Sequence, residues 1–166
     1  MTVVEQLVDQ IVRAREWTLL LVADLDGNDW KFQPAAGMGH PLWLCGHLAV
    51  AQHRLIHERC LNTSFIDPDF AKHFPIGAAV LSADEHAYPE PAAILETMAS
   101  VQERTIEAVR GMREEQFNEP AFGKHGEVHP HYRDKRGAVA HCSRHEVFHA
   151  GQLATIRRLL GKPFLR

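Results

Sequence analysis

The residue pattern specifies an all-α protein, a four-helix bundle with two long connections. Three observations point there. Apolar residues recur at steps of three and four in four separate segments, which is the spacing of a single buried helical stripe. Gly- and Pro-bearing stretches separate those segments. No segment shows the alternation of a half-buried strand, and no internal repeat or low-complexity tract is present. At 166 residues the chain has the length of one domain, expected to span residues 1–166.

The first helix opens on Thr2 and Glu5, a Thr-x-x-Glu capping box in which side chain and backbone satisfy each other's free amides. Leu7, Ile11, Ala14, Thr18, Leu21 and Leu25 form its stripe, and Gly27-Asn28-Asp29 ends it. A loop over residues 28–39 follows. Pro41 begins the second helix, because the first turn does not need the missing amide hydrogen. Leu44, Leu48, Ala51 and Leu55 carry its apolar face to about Cys60. Residues 62–88 lack sustained periodicity and read as a long connection with a short helical turn. The third helix starts near Pro91, shows Ile94, Met98, Val101, Thr105 and Ala108 on one face, and stops at Gly111. Residues 113–136 are polar and form the second long connection. The fourth helix runs from about Gly137 to Leu160, closed by Gly161 and Pro163. Its stripe is Val139, Cys142, His145 with Glu146, His149, Leu153, Ile156 and Leu160. Connections this long permit a crossover as well as a simple up-and-down order.

Composition narrows the function classes. The formal net charge is −3, with no long block of one sign, which argues against a nucleic-acid partner. No apolar run approaches the roughly 18–20 residues of a membrane span. The segment Met1 to Gln10 carries acids and no basic residues, so it does not read as a secretion signal. Cys45, Cys60 and Cys142 are odd in number and widely spaced, as expected for reduced thiols in a cytoplasmic protein.

Histidine is the one excess, with 12 residues, so pairs four apart also arise by accident. Context separates them. His145 and His149 lie one turn apart on the stripe that Leu153 and Ile156 continue, so both rings point into the bundle. His47 occupies a comparable inward position beside Leu44, Leu48 and Ala51. Burying neutral imidazoles with unpaired nitrogens costs on the order of 1–3 kcal/mol each. A metal ion offsets that cost, and so do hydrogen bonds to carboxylates or carbonyls. Three histidines without an obvious fourth ligand suit an ion with an open coordination position. Because imidazole accepts several borderline metals, ligand type alone does not name the ion.

Other residues read differently. His53 and His57 fall about 240° and 280° around the helix from His47 and are expected at the surface. His141 sits toward the edge of its stripe, as a pocket-lining residue or one outside the site. Cys142 reads as a small buried hydrophobe two turns from His149, although a thiolate could also ligate. His125, His129 and His131 belong to the polar connection. Arg54, seven residues after His47, either meets an anionic substrate or is a charged group at the bundle's end. Glu146 is expected to orient a histidine or face a neighbouring helix. Neither Arg54 nor Glu146 is assigned a catalytic role.

With its residues laid out this way, the chain resembles the DinB-like (YfiT-like) superfamily of metal-dependent hydrolases and thiol transferases. The resemblance covers nearly the full length. It rests on Gly-His-Pro-Leu-Trp-Leu-Cys-Gly at 39–46 before His47, and on His-x-x-x-His-Ala-Gly-Gln at 145–152 before Arg-Arg-Leu-Leu-Gly at 157–161. It implies a bundle with two long connections, often a homodimer. It also implies a divalent ion, usually zinc or nickel, held by His47, His145 and His149. Characterised relatives include bacterial enzymes that use low-molecular-weight thiols for transfer or isomerisation, which implies a small-molecule substrate such as a thiol of that kind. The leading expectation is an enzyme that activates water or such a thiol. The alternatives are a module in which the ion is structural, and a metal-free bundle whose histidines respond to pH or support dimer packing.

Overall fold

The computed structural model describes residues 1–165. Its four long helices are α1 (Val3–Val22), α2 (Pro41–His53), α3 (Pro91–Gly111) and α4 (Lys135–Leu159). Among the described residues only isolated bridges pair extended segments, such as Phe122 with Val128. Each helix starts as its first residues dictate. Thr2 Oγ1 accepts from the Glu5 amide at 3.1 Å while Glu5 Oε2 accepts from the Thr2 amide at 2.6 Å. Pro41 opens α2, and His40 Nδ1 caps it by accepting from the Trp43 amide at 3.2 Å. Asp134 caps α4 through the Gly137 amide at 2.7 Å. After α4, Gly161 takes the left-handed conformation (φ +70°), and the Lys162 amide returns to the Arg157 carbonyl at 2.9 Å.

Two boundaries differ from the sequence expectation. α1 stops at Val22, so Leu25 is buried in a turn rather than on the helix. The turn lets Asp24 meet the buried Arg157 at the end of α4. α2 does continue toward Cys60, but through a wider π turn over Arg54–Glu58 and a final α turn over Arg59–Leu61. The 62–88 connection contains the expected helical turn, at Pro68–Ala71.

Packing fixes the helix directions. One apolar cluster joins Leu21 and Val22 of α1, Leu44 and Leu48 of α2, Ile94 and Met98 of α3, and Leu153 and Ile156 of α4. The other joins Val8 and Ile11, Leu55 and Ile56, Val109, and Val139 and Cys142. Going from the second cluster to the first, α1 and α4 advance in sequence while α2 and α3 go backward. The order is therefore up-down-down-up, and the connection between α2 and α3 is the crossover. The closest packing is α1 on α4 and α2 on α3.

Between the two clusters lies a polar layer. Arg15 of α1 donates from Nε and Nη2 to the two oxygens of Glu146 on α4, at 2.6 and 3.0 Å. Its Nη2 also reaches Gln52 Oε1 on α2 at 2.8 Å, and its Nη1 reaches the Met98 carbonyl on α3 at 2.9 Å. Gln52 in turn donates to Gln102 on α3 at 2.7 Å. One guanidinium thus ties all four helices at mid-height. Its forked geometry matches a carboxylate bidentately, which a lysine would not do.

The crossover connection packs closely on α2. Phe74 is fully buried, and a methyl group at Gly46 would lie 2.1 Å from its ring. Glycine is therefore required immediately before His47, and the aromatic ring pins this part of α2 in place.

The placement of His53 and His57 corrects the sequence expectation. Both are buried, at 0% and 6% exposure. A single-stripe helical wheel fails here because α2 is enclosed on nearly every side, and because the π turn shifts the angular phase beyond His53. The chain after α2 folds back over both rings. His53 Nε2 accepts from the Phe65 and Ile66 amides at 3.1 and 3.4 Å, and the edge of Phe65 meets both imidazoles.

Candidate metal centre

α2 and α4 run antiparallel and bring His47 against His145 and His149. His47 Nε2 lies 3.2 Å from His145 Nε2, and His149 Nε2 lies 3.2 Å from that same atom. The ligand atoms of the three residues all fall within 4.8 Å of one another. Ions with nitrogen bonds of about 2.0–2.1 Å and tetrahedral angles place neighbouring ligands about 3.3 Å apart. The donor set therefore fits a divalent cation.

Neighbours prepare each ring. Gln152 Oε1 lies 2.8 Å from His149 Nδ1, so the ring N–H donates there and the Nε2 lone pair is directed at the other histidines. Trp43 stacks on His47 at 4.5 Å and 10°, which fixes the plane of that imidazole. His47 Nδ1 is buried without a hydrogen-bond partner. His47 and His149 are buried, whereas His145 keeps part of its surface open.

Electrostatics favour the ligating state. Burial pushes His47 down to about 3, with His149, His145 and Arg54 adding to the shift. Burial pushes His145 down to about 4, helped by His149 and His141. His149 is also lowered by burial, opposed by its bond to Gln152 and by the Glu146 charge. Neutral imidazole is the form that binds metal, so no proton has to be displaced near neutral pH.

The remaining candidates separate from the cluster. Cys142 donates to the Ala138 carbonyl within its own helix, and burial raises its thiol above the ordinary range. It is a buried apolar residue and not a fourth ligand. Glu146 faces α1 as one of its two expected roles, paired with Arg15. His141 sits at the margin, its ring 5.7 Å from His145 and 4.9 Å from Tyr132. His129 is buried beneath Tyr132, with ring centroids 3.9 Å apart, unlike its exposed neighbours His125 and His131. Sequence reading missed two supporting residues, Gln152 and Trp43. The signals available were their spacings, three residues after His149 and four before His47.

Comparison with known proteins adds the family and the fold. A family model described as the DinB superfamily matches residues 10–153. A solved structure of a conserved protein from Enterococcus faecalis is similar, with a TM-score of 0.73 and 19% identity, covering 98% of this chain and 99% of that one. At that identity the likeness speaks for the fold alone. No curated protein matches the chain.

Proposed function

Because the chain belongs to the DinB superfamily, we propose that His47, His145 and His149 hold a divalent ion, zinc or nickel, in an enzyme of the hydrolase or thiol S-transferase type. One observation carries this reading: His145 Nε2 lies 3.2 Å from a ring nitrogen on each side. With His149 Nε2 committed as an acceptor, one proton on His145 cannot serve both neighbours well, whereas a cation satisfies three lone pairs together. Bound there, the ion supplies Lewis acidity toward water or a low-molecular-weight thiol.

The chain's own residues do the positioning. Gln152 holds the His149 tautomer, Trp43 holds the His47 plane, and the part-open edge of His145 is the side from which a small molecule approaches. A purely structural ion is disfavoured because α2 and α4 are already joined through Gln52, Arg15 and Glu146. The expected homodimer has apolar candidates on α4, where Val147 and Phe148 are 55% and 66% exposed. Among the described residues no helix is long and apolar enough to cross a membrane.

Metal analysis of protein purified without a histidine tag tests the reading. One equivalent per chain is expected, lost in His149→Ala while the helical circular-dichroism signal persists. Turnover by the loaded protein, of either a simple ester or a thiol with an electrophilic acceptor, is the second expected result. A metal-free preparation that gains no ion on dialysis against zinc or nickel would overturn the proposal.

A further inference from the structure

Arg54 opens the π turn that continues α2, and Arg59 follows it. Both line a cleft of about 770 Å³, a volume suited to a small-molecule ligand. Lys124 joins them from the connection between α3 and α4. Three cations thus line a space with one carboxylate, Glu58, whose Oε1 is turned to within 3.4 Å of His53 Nδ1. Among the ion pairs of the described residues, none involves Arg54, Arg59 or Lys124.

Arg59 is the most telling of the three. Its Nη1 is buried and has no hydrogen-bond partner, although its backbone carbonyl is held by the Phe122 amide at 3.1 Å. Nη1 itself is closed off from the cleft. Among the described residues, however, the Arg59 guanidinium makes no hydrogen bond or ion pair, which leaves its remaining N–H groups to meet an oxyanion. The same cleft is lined by Ile76 and Phe122, which are 50% and 46% exposed and offer apolar walls. π turns recur at functional sites because they widen a helix locally and re-aim its side chains.

We propose that this cleft binds a small organic anion with an apolar body. Its carboxylate or phosphate head is held by Arg54, Arg59 and Lys124, and its body rests on Ile76 and Phe122. None of the three histidines lines the cleft, but two paths lead from it toward them. Arg54 follows His47 by seven residues, about 10 Å along a helix axis. The Arg59 guanidinium sits 5.8 Å over the Tyr132 ring, which neighbours His141 and through it His145. That the anion is a substrate rests on the metal reading; that it binds does not.

Calorimetric titration of the metal-free protein at low salt with 4-phenylbutyrate, phenyl phosphate and the neutral 4-phenylbutyramide tests the inference. Saturable binding of at least one anion is expected, at least tenfold tighter than the amide, and the tighter anion identifies the head group. Arg59→Gln is expected to weaken it roughly tenfold or more. Should Arg59→Gln fail to fold, the double variant Arg54→Gln/Lys124→Gln leaves the Tyr132 contact intact and is expected to lose about tenfold. Anion binding that is absent at millimolar concentration, matched by the amide, or unchanged in both variants overturns the proposal. His145→Ala is expected to lose metal and keep the anion, so failure of the metal reading is distinguishable from failure of this one.

Discussion

A single turn of α4 faces two buried polar clusters of opposite character. Glu146 points toward α1, where both its oxygens meet Arg15 and the guanidinium is further shared with Gln52 and the Met98 carbonyl. His145 and His149 point toward α2, where ring nitrogens crowd one another and His47 Nδ1 has no partner. Both clusters are enclosed by apolar packing. The first is complete within the chain and works as a fastener. The second brings three neutral ring nitrogens together with no carboxylate among them, the arrangement on which the proposed metal site rests.

The contrast breaks most sharply at Glu146. Glu146→Gln leaves the Arg15 charge buried without its counter-ion and is expected to cost about 3–5 kcal/mol. That corresponds to a melting temperature lower by roughly 6–20 °C in a chain of this size. A loss under about 1 kcal/mol in chemical denaturation would show that the layer is not the fastener.

Next comes His149→Ala, which should behave in the opposite way. Metal affinity falls by about two orders of magnitude or more, since one of three ligands and its tautomer lock are gone. The metal-free melting temperature falls much less than in Glu146→Gln, because no buried charge loses its counter-ion. Destabilisation on the scale of Glu146→Gln would place the histidines in the structural class instead.

Gln152→Leu sharpens the comparison further. The His149 tautomer loses its partner, and metal affinity is expected to drop about 10–100-fold by isothermal titration, with little change in fold. An unchanged affinity would mean that the 2.8 Å contact does not set the ring.

The buried, neutral histidines also set a pH dependence. Burial holds His47 near 3 and His53 and His145 near 4, against an ordinary 6.5. The unfolded chain therefore binds protons that the folded chain refuses. The stability of the metal-free protein is full above about pH 6.5 and is lost progressively as pH falls toward 4. A melting temperature that stays flat over that window would contradict the buried, neutral assignment.

Much of this was legible in residue order. Thr2, Pro41 and Gly161 announce helix ends through local chemistry that needs no tertiary partner. His145 and His149 could be paired from spacing alone, since their helix has one buried stripe. α2 resisted the same logic. Being enclosed nearly all round and then widened by a π turn, it has no single stripe to read, which is why His53 and His57 were expected at the surface. Nor does any local signal connect Arg15 with Glu146, 131 positions away.

The sequence by itself determined four helices, the ends marked by Thr2, Pro41 and Gly161, and the inward placement of His47, His145 and His149, because those follow from short-range periodicity and backbone satisfaction. Only the tertiary structure decided the up-down-down-up order, the Arg15 layer, the closeness of three imidazoles and the cation-lined cleft. Each of these depends on which helix faces which, a choice made by long-range packing and by the cost of leaving buried charge unpaired.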